Sequence, residues 1–134
     1  MATLTDDRVL AATDELVAAF AATDTDAYFG CFADDATFVF HPEPARMNDR
    51  AAYETVWAGW LTSGWRVVSC VSSDRMVQTF GDVAVLTHTV DTVVEVDGDR
   101  SETRERETIV FALRDDRLLA VHEHLSTAPA AVDA

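Results

Sequence analysis

The chain has 134 residues, with 24 Asp and Glu against 10 Arg, no Lys, and a formal charge of -14. That length suits one domain able to bury a core, and 49% hydrophobic with 25% charged residues is a globular rather than a disordered composition. The acidic balance excludes nucleic acid and anionic membrane as main partners, since both need a positive patch. The acids are spread along the chain, 11 before Trp65 and 13 after it, so there is no acidic tail. Cys31 and Cys70 stand far apart without a Cys-x-x-Cys or zinc spacing and read as reduced thiols. The start Met1-Ala2-Thr3-Leu4-Thr5-Asp6-Asp7 has acid where a secretory signal needs base, and no apolar run reaches membrane length. A cytoplasmic location is expected.

In chain order, Thr5 with Asp6 and Asp7 opens a helix, and Val9, Leu10, Leu16, Val17 and Phe20 follow at helical spacing to about Thr23. Asp24 or Thr25 caps a short second helix carrying Tyr28, Phe29 and Phe32, with Asp34-Asp35 as its exit turn. Ala36 to His41 is a short strand stopped by His41-Pro42-Glu43-Pro44. Asn48 or Asp49 caps a third helix bearing Tyr53, Val56, Trp57, Trp60 and Leu61, ending at Ser63-Gly64. From Trp65 on, β-branched residues and the turns Gly81-Asp82, Asp97-Gly98-Asp99 and Asp115-Asp116 set out four long strands. These run over about 65–80, 83–96, 103–114 and 117–126. Residues 127–134, rich in Ala and Pro, are expected to fray.

No repeat, linker or second domain is visible, so the reading is a single α+β domain over residues 1–134 with an ordered core of about 5–126. Strands this long must coil. The expected architecture is a cone-shaped, curved antiparallel sheet with three N-terminal helices on one face, enclosing a cavity.

This order of elements resembles the nuclear transport factor two-like superfamily, a cystatin-like roll, and within it the SnoaL-like branch shared with ketosteroid isomerases and polyketide cyclases. Two stretches carry the resemblance. Asn48-Asp49-Arg50-Ala51-Ala52-Tyr53-Glu54-Thr55-Val56-Trp57 resembles the branch's third-helix opening. Arg106-x-Thr108-x-Val110, followed by Arg117-Leu118-Leu119-Ala120-Val121-His122-Glu123-His124-Leu125-Ser126, resembles its last hairpin and His-x-His-x-Ser close. Leu118 replaces the usual Trp and Asp116 the usual Gly. The resemblance spans about Thr5 to Ser126. It implies a small-molecule ligand, no cofactor and a homodimer pairing through the outer sheet face; no metal is expected, because His122 and His124 would need a third ligand from another strand and no spacing demands one. The superfamily holds isomerases, dehydratases, hydrolases, cyclases and binding domains, so fold and activity are separate questions.

Ketosteroid isomerase chemistry uses a carboxylate base with a Tyr and a protonated Asp as oxyanion donors. By resemblance the base would stand at the first strand, where this chain has Phe38, Val39 and Phe40, and the Tyr on a first helix that has none. A His–Asp dyad of the kind related dehydratases use is still open. His122 and His124 lie two apart on a strand and share a face. With a bulge after the Asp115-Asp116 turn, Thr108 pairs with His122 and Arg106 with His124; a plain two-residue hairpin puts Glu107 opposite His124. The histidines then contact a ligand as acid/base with Arg106 stabilising negative charge, or they line a dimer interface or sit hydrogen-bonded in the core.

Tyr53, Trp57 and Thr108 are pocket candidates, with His41 at the rim and His88 joining if the curvature brings it in. Tyr53 and Trp57, at i and i+4, and Trp60, at i+3 from Trp57, pack in the core or face a flat apolar ligand. The remaining choice is between an apolar ring-binding enzyme that transfers protons, a binding or assembly module, and a cavity filled by Phe32, Phe38, Phe40, Trp57 and Phe111.

Overall fold

A computed structural model describes residues 3–129. The Thr5 hydroxyl accepts from the Arg8 backbone N–H at 3.2 Å, and Asp6 and Asp7 occupy the first turn of α1, Asp6–Ala21. Its buried residues Val9, Thr13, Leu16 and Ala19 form one stripe. Asp24 caps the short α2, Thr25–Phe29, by accepting from Ala27 N–H at 3.2 Å. Asp49 caps α3, Arg50–Thr62, by accepting from Ala52 N–H at 2.8 Å. Each cap satisfies a donor that the first helical turn leaves open.

Five strands make one sheet: β1 Phe32–Phe40, β2 Trp65–Phe80, β3 Val83–Val96, β4 Asp99–Arg114 and β5 Arg117–Thr127, in the order β1-β5-β4-β3-β2. The long strands pair antiparallel as expected, but β1 joins the edge of β5 in parallel. β1 also starts earlier than the sequence suggests. Asp34 and Asp35 lie inside it, at its irregularity between Phe32 and Thr37, rather than forming a turn. Their exposed carboxylates reach Arg50 and Arg114, each at 2.7 Å. Such exposed pairs contribute little to stability. β5 is still paired at Thr127, where fraying was expected; positions 130–134 of that tail lie outside the described residues.

The sheet curls because β2 breaks register twice, between Val67 and Ser69 and between Ser73 and Met76. At the second break Asp74 takes a φ of 52°. Bulges bend a strand and raise its twist, and here they fold the long strands around the helices. The inner sheet face carries Ala84, Leu86, Ile109, Phe111 and Ala120, all buried. Against it lies an aromatic hub centred on Trp57. This ring stacks on Tyr28 at 4.9 Å and meets Trp65 edge-on at 5.0 Å, while its Nε1–H donates to the Thr25 hydroxyl at 3.0 Å.

Candidate functional site

The sheet and helices enclose a cavity of about 250 Å³. The side chains expected to fill it do so only in part: Phe32, Phe38, Trp57 and Phe111 pack into the core beneath, and Phe40 reaches the wall. Leu16, Val17 and Phe20 of α1 line one side, Trp60 of α3 and Trp65 of β2 another, and Val90, Thr92 and Val94 of β3 the floor. Its polar groups include four carboxylic residues, Glu43, Glu105, Glu107 and Glu123, the phenols of Tyr28 and Tyr53, and the threonines Thr92 and Thr103.

Glu123 is the centre of this group. It is 1% exposed, and its Oε1 has no hydrogen-bond partner among the described residues. Burial, followed by the negative charge of Glu107, holds its proton affinity well above the ordinary glutamate range. The Tyr28 and Tyr53 hydroxyls stand 2.9 Å apart, both buried. Burial raises both phenols, and the field of Glu123 raises them further. One hydroxyl therefore spends its hydrogen on the other, and the second keeps a hydrogen free to donate.

Two imidazole–carboxylate pairs flank this centre. His88 is fully buried, with Nε2 at 2.8 Å from Glu107 Oε1 and Nδ1 at 2.6 Å from the Ser72 hydroxyl. His41 Nε2 lies 2.5 Å from Glu105 Oε2. Neither histidine itself lines the cavity: His41 is exposed next to Pro42 and Glu43 of the wall, and His88 stands behind Glu107, whose carboxyl does line it. Cys70, also on the wall, is pushed up to about 11 by burial and remains a thiol.

The structure places the other sequence candidates elsewhere. Arg106, Thr108, His122, His124 and Ser126 do gather on one face, but it is the outer face of the sheet, opposite the cavity. There they stand with Thr87, Thr89 and Asp74 around a shallow polar depression lined by Arg106, Thr108, His124 and Ser126. Neither expected register occurs. Asp115 and Asp116 take φ values of 50° and 64° in a two-residue turn, which leaves the first pairs in plain register. The bulge comes later, at Val121, so Val110 pairs with His122 and Thr108 with His124. His122 Nδ1 meets the Thr37 hydroxyl at 2.8 Å, and burial, then His124, lowers its proton affinity. Trp57 belongs to the core rather than the cavity wall; Tyr53 does line the wall.

Residue reading missed Glu105, Glu107, Glu123, Tyr28 and Trp65 as wall residues. A signal existed for two of them. Glu105 and Glu107 share strand parity with Ile109 and Phe111, the buried apolar side of β4. Among the described residues, no group of three or more His, Cys, Asp or Glu is arranged to hold a metal ion. No helix of the described residues is long and apolar enough to cross a membrane.

A profile of the SnoaL-like domain matches residues 9–131. The chain belongs to the SnoaL-like domain family. Solved structures agree on the fold. An NTF2-like protein from Cytophaga hutchinsonii superposes with a TM-score of 0.79 at 14% identity, covering 93% of this chain and 100% of that one. A candidate dehydratase of the NTF2-like family from Streptomyces avermitilis gives 0.79 at 19% identity, covering 92% and 96%. A candidate calcium/calmodulin dependent protein kinase II association domain from Xanthomonas campestris gives 0.74 at 24% identity, covering 92% and 88%. No curated protein matches the sequence. These identities support the SnoaL-like cone and leave its chemistry to the residues on the wall.

Proposed function

We propose that this SnoaL-like domain binds an apolar, ring-containing small molecule in its cone cavity and moves a proton on it without a cofactor, as an isomerase, dehydratase or cyclase does. The observation that carries this reading is Glu123, a buried carboxyl with raised proton affinity on the cavity wall. A carboxyl tuned upward by burial exchanges protons nearer neutral pH than an exposed one. The free hydrogen of the Tyr28–Tyr53 pair supplies a donor for an oxygen on which negative charge develops. Glu107, held by His88, sets the charge beside Glu123. The histidines of β5 have no part in this chemistry.

The test uses 2-tetralone, a bicyclic ketone whose acidic C–H groups exchange with deuterated water. Titration should quench Trp60 and Trp65 fluorescence saturably, and exchange followed by proton NMR should exceed the buffer rate with the same saturation. Saturable quenching without faster exchange would leave a binding module. Absence of both would remove the cavity reading.

We further propose that the outer sheet face pairs two copies of the chain. Val71, Met76, Phe80 and Val83 lie on that face with 58%, 59%, 61% and 38% exposure, an unusual apolar row beside Arg106 and the paired histidines. Sedimentation equilibrium should give a dimer, and Met76→Asp with Phe80→Asp should give a folded monomer. A wild-type monomer at about 100 micromolar would sink the pairing.

A further inference from the structure

The cavity wall also says what charge its occupant carries. Four carboxylic side chains reach it, and among the described residues no arginine does. The chain has no Lys to contribute. Glu105 and Glu107 are already engaged by His41 and His88. Glu123 is not engaged in this way: it is buried, it faces the cavity, and its Oε1 lacks a partner among the described residues. A buried carboxyl oxygen without a donor is costly, and Glu107 beside it works against a second negative charge.

A ligand that brings positive charge relieves the second condition, and one whose cationic nitrogen keeps an N–H relieves the first as well by donating to Oε1. A carboxylate or phosphate would meet acids with no cation to answer it. A neutral ring would fill the apolar space and leave the unpartnered oxygen as it was. The walls suit a cation in a second way. Phe20, Tyr28, Phe40, Tyr53, Trp60 and Trp65 all line the cavity, and the faces of such rings attract an ammonium group that has shed its water. The overall charge of -14 draws cations toward the protein from a distance.

We propose that the cavity selects a lipophilic amine, an apolar ring system bearing a protonated or quaternary nitrogen, with the nitrogen set against Glu123 and the ring body among Trp60, Trp65 and Phe20. The assignment rests on the cavity-binding reading above and narrows its substrate class. Glu123 is then the residue that tells a cationic ligand from a neutral one of the same shape.

The experiment compares N,N,N-trimethylanilinium with its uncharged isostere tert-butylbenzene, both titrated by tryptophan quenching beside 2-tetralone as the neutral ring probe. The cation should bind about tenfold or more tightly than the isostere. In Glu123→Gln, which keeps the shape and cannot ionise, the preference should fall to about twofold or less. Equal binding of cation and isostere by the wild type, with 2-tetralone still bound, would overturn the amine assignment and leave the cavity reading standing. A preference that survives unchanged in Glu123→Gln would overturn the role given to that residue. Failure of all three probes to bind would remove both readings together.

Discussion

Replacing Trp57 with alanine should destabilise the domain by about 3–5 kcal/mol, the range for removing a large aromatic from a packed core. Trp57 is 1% exposed and heads the fully buried side chains by volume. Its ring contacts Tyr28, Phe29, Tyr53 and Trp65, so it ties α2, α3 and the start of β2 into one body. Truncation also strands the Thr25 hydroxyl that Trp57 Nε1–H now engages. A domain of this size holds about 5–15 kcal/mol in total, so a large part of the folded margin is at stake. Urea unfolding followed by far-UV circular dichroism measures the loss without relying on the missing fluorophore. Trp57→Phe should restore most of it, falling short mainly by the lost packing and by about 1 kcal/mol for the hydrogen bond. Trp60→Ala offers the contrast, because Trp60 is only partly buried and lines the cavity. It should cost less stability and more ligand affinity. A loss below about 1 kcal/mol for Trp57→Ala would contradict the hub assignment.

The contrast between these tryptophans marks where sequence patterning reaches its limit. Tyr53 and Trp57 share a helical face, and that spacing places both inward; it cannot say which of the two ends at a void. The boundary depends on how far β2 and β3 curl, which the two register breaks of β2 decide. The caps and turns were legible because each rests on local chemistry. Thr5, Asp24 and Asp49 cap the helices from their side chains, and Ser63-Gly64 ends α3 with Gly64 at a φ of 87°.

The long strands were legible from β-branched residues between turn signals, with β2 and β3 found at the residues where they begin and end. The parallel docking of β1 was not, since a nine-residue strand carries no mark of its partner. The site was hidden by a single residue. Leu118 and Ala120 share parity with His122 and His124, so an unbroken β5 would point both histidines at the core. The extra residue at Val121 flips that alternation and turns Glu123 inward instead. Nothing in the local sequence announces the bulge. On β4, where no bulge intervenes below Val110, strand parity with Ile109 and Phe111 was the overlooked signal that puts Glu105 and Glu107 on the inner face.

Glu123→Gln should separate function from folding in opposite directions. In the folded chain the carboxyl keeps its proton to a higher pH than the usual glutamate value of 4.5, because burial and then Glu107 oppose its charge. Folding is therefore favoured while the group is protonated in both states, below the unfolded value. That contribution drains away as pH rises through the folded value. Glutamine has no proton to lose. The variant should match the wild type near about pH 4 and melt at a progressively higher temperature than it does as pH rises toward about 8. Each unit by which the folded value is raised corresponds to about 1.4 kcal/mol, or about 3–5 °C in Tm for a domain of this size. Other carboxylates cancel in the comparison, since they are common to both proteins.

Over the same range, deuterium exchange of 2-tetralone should fall by about 10²–10⁴-fold, the usual contribution of a positioned acid or base. Quenching by 2-tetralone should persist, because the cavity keeps its shape. A more stable protein that still binds and no longer exchanges would assign the proton transfer to Glu123. Exchange at the wild-type rate would remove it from the mechanism. A Tm difference that shrinks rather than grows with pH would show that this carboxyl is charged in the folded chain, and that the field around it has been read with the wrong sign.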